Sequence, residues 1–162
     1  MTILDAILRL GAAIIAGGAI GLNRDLRNKP AGVRTHALVA LGSALATILV
    51  ADDSDPNARS RVIQGIITGI GFLGAGVILR REGGRTVRGL TTAASIWVVA
   101  ALGIACGMGQ WVPVAVGTVL TLAVLILGGP LEDSVHRLRG QTGPPKGPGG
   151  DGSSGGGGTG SS

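Results

Sequence analysis

The side chains of this chain that could do chemistry are gathered mainly in two basic stretches. The first holds Arg24, Asp25, Lys29, Arg34, Thr35 and His36; the second holds Arg80, Arg85, Arg88, Thr91 and Thr92. Guanidinium groups beside the free amides of a helix N-terminus suit an anion, and Thr91 or Thr92 is expected to cap the helix that follows. Anionic lipid headgroups would satisfy such a face as well as a protein partner would. A short acidic run, Asp52, Asp53 and Asp55, offers the oxygen ligands that hydrated Mg²⁺ favours, although a solvated turn needs no ion at all. Metal chemistry of other kinds finds little support, because His36, His136 and Cys106 are the only imidazoles and thiol and lie far apart in sequence. Ser43 and Ser95 sit in apolar runs with no base expected beside them, so neither reads as a nucleophile. The residues therefore point to a protein that is not an enzyme and carries no cofactor.

These groups are separated by stretches that only a membrane explains. The 162 residues are 45% apolar and only 14% charged, with a mean hydropathy of +0.48. Such a chain has too few charges to cover a soluble globule. Five apolar segments, about Ile3 to Leu22, Val33 to Ala51, Val62 to Leu79, Leu90 to Gly107 and Trp111 to Gly129, are each long enough to cross about 30 Å of hydrocarbon. The fold expected is an all-α integral membrane protein with five transmembrane helices in one bundle. No basic region precedes the first segment, as a secretory signal would require, so that segment reads as a retained helix.

Orientation follows from the cations. Arg24, Arg27, Lys29, Arg34, Arg80, Arg81, Arg85, Arg88, Arg137, Arg139 and Lys146 fall on one side, against Arg9, Arg59 and Arg61 on the other. Basic loops stay cytoplasmic, which predicts the N-terminus outside and the C-terminus inside. The net charge of +5 thus reads as topology and not as nucleic-acid binding, the more so because the aromatic residues are Phe72, Trp97 and Trp111 alone. Residues 1–139 form the expected transmembrane domain. From 140 to 162 the chain is mostly Gly, Ser and Pro with no apolar residue to bury, which predicts a disordered tail.

The third segment contains Gly69-x-Gly71-x-x-Gly74, the letters of a dinucleotide fingerprint, but in an apolar run without the strand and turn that the fingerprint needs. Helical spacing gives a better reading. Gln64, Thr68, Gly71 and Ala75 share one stripe, with Gly65 and Gly69 as a GxxxG beside it, a pattern for close helix packing. The alternative is that Gln64 and Thr68 line a polar cavity. In the first segment Asp5 and Arg9 are spaced to pair on one helix face, with Arg9 expected to reach back to the outer interface.

Three ordered motifs carry a resemblance. Asn23-Arg24-Asp25 with Lys29-Pro30-Ala31-Gly32-Val33-Arg34-Thr35-His36, then Gly69-Ile70-Gly71-Phe72-Leu73-Gly74-Ala75-Gly76-Val77-Ile78, then Val87-Arg88-Gly89-Leu90-Thr91-Thr92-Ala93-Ala94 closely resemble the MgtC/SapB family of bacterial inner-membrane proteins. The resemblance covers about Leu4 to Leu131. It implies a transmembrane domain of the same five-span kind and an association with magnesium homeostasis under magnesium limitation. It further implies restraint of the membrane ATP synthase in place of ion transport. Two departures stand out: Asn23 replaces a glutamate common in the family, leaving Asp25 as the nearest carboxylate, and a Gly/Ser tail stands where many relatives carry a soluble domain.

The function expected is thus a non-enzymatic protein that binds and modulates another integral membrane complex, with homo-oligomerisation left open. A transporter of Mg²⁺ or another cation is the alternative. Against it, the spans offer no carboxylate beyond Asp5 to replace an ion's water.

Overall fold

The computed structural model describes residues 1–51, 55–80 and 87–140 of the 162. Five helices follow in order: α1 (Ile3–Leu26), α2 (Val33–Leu49), α3 (Pro56–Val77), α4 (Leu90–Gly107) and α5 (Trp111–Gly140). Between α3 and α4 lie two short strands, β1 (Leu79–Arg80) and β2 (Val87–Arg88), antiparallel with Leu79 opposite Arg88. Residues 1–129 form one compact unit, and residues 130–162 form another. The tail expected from 140 onwards lies outside the described residues except for Gly140, as do Asp52, Asp53, Arg81 and Arg85.

Among the described residues, four helical stretches are long and apolar enough to cross a membrane: Ile3–Leu26, Asn57–Val77, Leu90–Gly107 and Trp111–Gly129. The chain is an all-α membrane protein. α2 has 17 residues, about 25 Å of helix. It is flanked by α1 on one side and α4 on the other, and its inward positions are small: Ala40, Ser43, Ala44 and Thr47 are all buried.

Small residues on the neighbours complete the contact. A Cβ on Gly17 of α1 would sit 2.6 Å from the carbonyl oxygen of His36, and one on Gly107 of α4 would sit 2.6 Å from that of Ala44. Gly21 and Gly103 meet α2 in the same way, so that Gly17-x-x-x-Gly21 and Gly103-x-x-x-Gly107 are the two GxxxG ridges of the bundle. The ridge expected on α3 is different, since Gly65, Gly69 and Gly71 have open space where a Cβ would be. α3 packs instead through Ile66, Ile70 and Val77 against Ile96 and Ala100 of α4.

Arginines close the helix ends. Arg9 pairs with Asp5 at 2.9 Å as its spacing predicts, but its guanidinium also turns inward and donates to the Gly107 carbonyl at 2.7 Å. That contact, which sequence spacing could not foresee, satisfies an orphan carbonyl at the end of α4. Arg59 likewise donates to the Ala51 carbonyl just beyond α2, at 2.7 Å.

A buried polar cluster as the candidate functional site

The turn between α1 and α2 is built by its own side chains. Asn28 and Ala31 both take left-handed backbone angles, with φ of 50° and 58°. An asparagine suits that conformation after a helix end; an alanine is strained there by about 1–2 kcal/mol. The N-cap of α2 is Gly32, which has no side chain to offer. Asp25 supplies one from across the turn, its Oδ2 accepting from the Val33 N–H at 2.9 Å. A carboxylate at a helix N-terminus is favoured by the helix dipole, so Asp25 has a structural task that its sequence position did not reveal.

Next to this turn, Arg24 points into the bundle. It is only 3% exposed, and its Nη2 donates to Thr92 Oγ1 of α4 at 2.7 Å. This corrects the reading of Thr91 or Thr92 as helix caps. The N-cap of α4 is Gly89, with φ of 95° and no side-chain cap bond. A left-handed residue was required there, and a Cβ at Gly89 would overlap the Val77 carbonyl. Thr92, released from capping, becomes the acceptor for the arginine. Arg24 Nε and Asn23 Oδ1 are buried without a hydrogen-bond partner among the described residues.

One turn further along α4 lies Ser95, whose Oγ is 3.0 Å from His36 Nε2 and 2.8 Å from the Thr92 carbonyl. The other ring nitrogen of His36 is 3.0 Å from the Gly32 carbonyl. His36 itself has no exposed surface. The expectation that Ser95 has no base beside it is therefore overturned, because helix packing brings together two residues 59 positions apart. A hydroxyl within reach of an imidazole is the start of a nucleophile and base pair. Here the pair is sealed between α2 and α4, so its geometry serves to join helices.

The residues read from sequence as one basic face thus divide, Arg85 and the side chain of Arg80 lying outside what is described. Arg24, His36 and Thr92 turn inward with Ser95, whereas Asp25, Lys29, Arg34, Thr35 and Thr91 are exposed. Arg88 lies in β2, and its side chain is outside what is described. Of the α3 set, Gln64, Gly65, Thr68, Gly69, Gly71 and Ala75 are all exposed, and Thr68 Oγ1 donates to the Gln64 carbonyl of its own helix at 2.8 Å. An open apolar groove of about 390 Å³ does run between α2 and α3, but it is lined by Leu38, Gly42, Gly65, Gly69 and Leu73 among others, not by Gln64 or Thr68. No group of three or more His, Cys, Asp or Glu side chains gathers among the described residues.

Comparison with known proteins covers the same ground. The chain is 46% identical over 129 residues to Protein SrpB of Synechococcus elongatus, covering 72% of this chain and 71% of that one. It is 44% identical over 138 residues to Protein MgtC of Salmonella typhimurium, covering 85% of this chain and 57% of the relative. Protein MgtC of Brucella abortus is 46% identical over 125 residues, covering 75% of this chain and 50% of the relative. The chain therefore spans only half to three-fifths of the length of these two MgtC proteins. No solved structure matches it. The sequence profile of the MgtC family matches residues 10–134, a range that contains the α1–α2 turn, the buried arginine and histidine, and both glycine ridges; the chain belongs to the MgtC family.

Proposed function

We propose that the chain is a non-enzymatic protein of the bacterial inner membrane that binds another integral membrane complex and modulates it, in a role tied to magnesium homeostasis. The observation that carries this reading is the outer face of α3. Phe72 is 83% exposed, and a Cβ at Gly71 or Gly76 would meet nothing within 4 Å. In lipid, helices associate through close packing of such small-residue surfaces, because hydrocarbon provides no hydrophobic drive between them. Lys29, Arg34, Thr35 and Thr91 add exposed polar and cationic groups at the end of the bundle where α1 meets α2 and α4 begins. The ATP synthase is the partner that the family resemblance suggests.

Crosslinking in native membranes, followed by capture from lipid, tests the reading. Capture should fall with Arg34→Ala and Arg88→Ala while membrane insertion is kept. Undiminished capture by both variants would return these arginines to lipid headgroups, and recovery of no membrane complex above background would reject the proposal.

The transporter reading rests on the acidic turn. Its one described member, Asp55, accepts from the Asn57 N–H at 2.8 Å and from Arg61, engagements that compete with an ion. Purified protein in liposomes that moved Mg²⁺ down a gradient would reverse the ranking.

A further inference from the structure

The cluster around His36 has more acceptors than one neutral imidazole can serve. The Gly32 carbonyl 3.0 Å from Nδ1 can only accept, so Nδ1 carries a hydrogen. The Thr92 carbonyl 2.8 Å from Ser95 Oγ can also only accept. If the serine proton goes there, Oγ faces His36 Nε2 with a lone pair, and Nε2 must carry a hydrogen too. That is the imidazolium. If the ring is neutral, the serine hydroxyl turns its single hydrogen from the Thr92 carbonyl to Nε2. Both states are hydrogen-bonded, and they differ by one proton and one hydroxyl rotation.

We infer that His36 is a buried proton-binding site whose occupancy loosens or tightens the junction of α1, α2 and α4. A proton from water at the α1–α2 turn binds Nε2, and the Ser95 hydroxyl hydrogen swings from Nε2 to the Thr92 carbonyl. No other bond is made or broken. The charged groups around the ring decide the consequence. From α1 come Arg24, whose guanidinium is itself buried, and Asp25, whose carboxylate is committed to the Val33 N–H. α4 contributes only the neutral Thr92 and Ser95. α2 adds Arg34, and the turn adds Lys29, both exposed. Proton uptake therefore places a second cation in a dry region that already holds one, with a single carboxylate near. Like charges in low dielectric repel strongly.

The site also lies at a close contact between helices. The backbone of His36 is the part of α2 that Gly17 of α1 touches, and Gly21 touches Gly32 and Val33 just before it. Repulsion at the ring is thus transmitted to the α1–α2 contact without any intervening element. Buried ionisable groups inside membrane bundles are costly and often serve proton binding, and this one joins three helices.

The test uses the full chain in lipid nanodiscs, with His136→Gln leaving a single imidazole. Isotope-labelled histidine, followed by NMR across a window from about pH 4 to pH 8, should show that ring taking up a proton as the pH is lowered. In the same background, stability should fall on acidification by up to about tenfold in the unfolding constant per pH unit, the limit for one proton. His36→Gln, which cannot titrate, should flatten that dependence. An equal fall in His36→Gln, or a ring that never changes state in the window, overturns the inference. Should His36→Gln not fold, Ser95→Ala decides: it must displace the titration midpoint, and an unchanged midpoint rejects the hydroxyl relay.

Discussion

Arg27 of α1 donates through Nη2 to the carbonyl of Ile126 at 3.0 Å, and Ile126 is the residue whose carbonyl has no helical partner because position 130 is proline. In α5 the amide four residues on would normally close that bond. An arginine from a different helix supplies the missing donor and ties the end of the first span to the fifth. Arg27→Ala should lower stability by about 1 kcal/mol, the usual net worth of one hydrogen bond. Pro130→Ala restores an amide at the right place, so the cost of Arg27→Ala should shrink in that background. A double-mutant cycle in mild detergent measures the difference. An equal cost in both backgrounds would show that Arg27 acts by something other than this bond.

The two glycine ridges give a sharper contrast. Gly107→Ala forces a methyl group against the Ala44 carbonyl at 2.6 Å, so the backbones of α2 and α4 must part. Overpacking of this kind costs about 1–3 kcal/mol. Gly69→Ala adds its methyl to open space and should change stability by no more than about 0.5 kcal/mol. Reversible unfolding in mixed micelles compares them, and equal losses would contradict the packing described.

That contrast also marks how far the sequence could be read. The spans were legible because hydrocarbon excludes charge, and Leu90–Gly107 was placed to the residue. α3 begins earlier than hydropathy suggests, at Pro56, since a proline at the first helical position and Asp55 as N-cap start a helix before the apolar run does. The GxxxG of Gly65 and Gly69 is not the one that packs within this chain. Gly65 and Gly69 drew attention inside a glycine-rich run, while Gly17, Gly21, Gly103 and Gly107 were equally regular and are the ones in contact. Spacing shows which glycines share a stripe, but not which neighbour the stripe meets. Arg24 was misplaced for the same reason: its charge argued for the surface, and only the presence of Thr92 beneath it, 68 residues away, lets it turn inward.

At the acidic turn, pH should act through Asp55. The Asn57 N–H and then the Arg61 guanidinium hold its carboxyl below its ordinary value of 3.8. A carboxylate whose folded value is depressed stabilises the fold above its unfolded value, and that contribution is lost as pH falls through the folded one. Asp55→Ala should therefore weaken the start of α3 at neutral pH. The gap between variant and parent should close as the pH falls through the lowered folded-state value of this carboxyl. Hydrogen exchange at the first amides of α3 follows this, and a gap that persisted in acid would assign the effect to something other than the charge.

The buried contact between Arg24 and Thr92 allows a test of what holds the junction together. Arg24 is a guanidinium in a dry interior with one hydrogen bond from Nη2 and an unpartnered Nε. Removing its acceptor with Thr92→Val leaves a buried charge still less satisfied, at a cost of about 2–3 kcal/mol. Arg24→Met keeps most of the volume and discards the charge, so it should cost less. Once the arginine is gone, the threonine hydroxyl has little left to do for it, and Arg24→Met with Thr92→Val should come close to neutral. Buried polar pairs replaced together by apolar groups of similar shape often behave so. Unfolding of the three variants in micelles gives the order. If the double variant loses as much as the two single variants added together, the pair is not coupled, and the 2.7 Å contact does not carry the stability assigned to it.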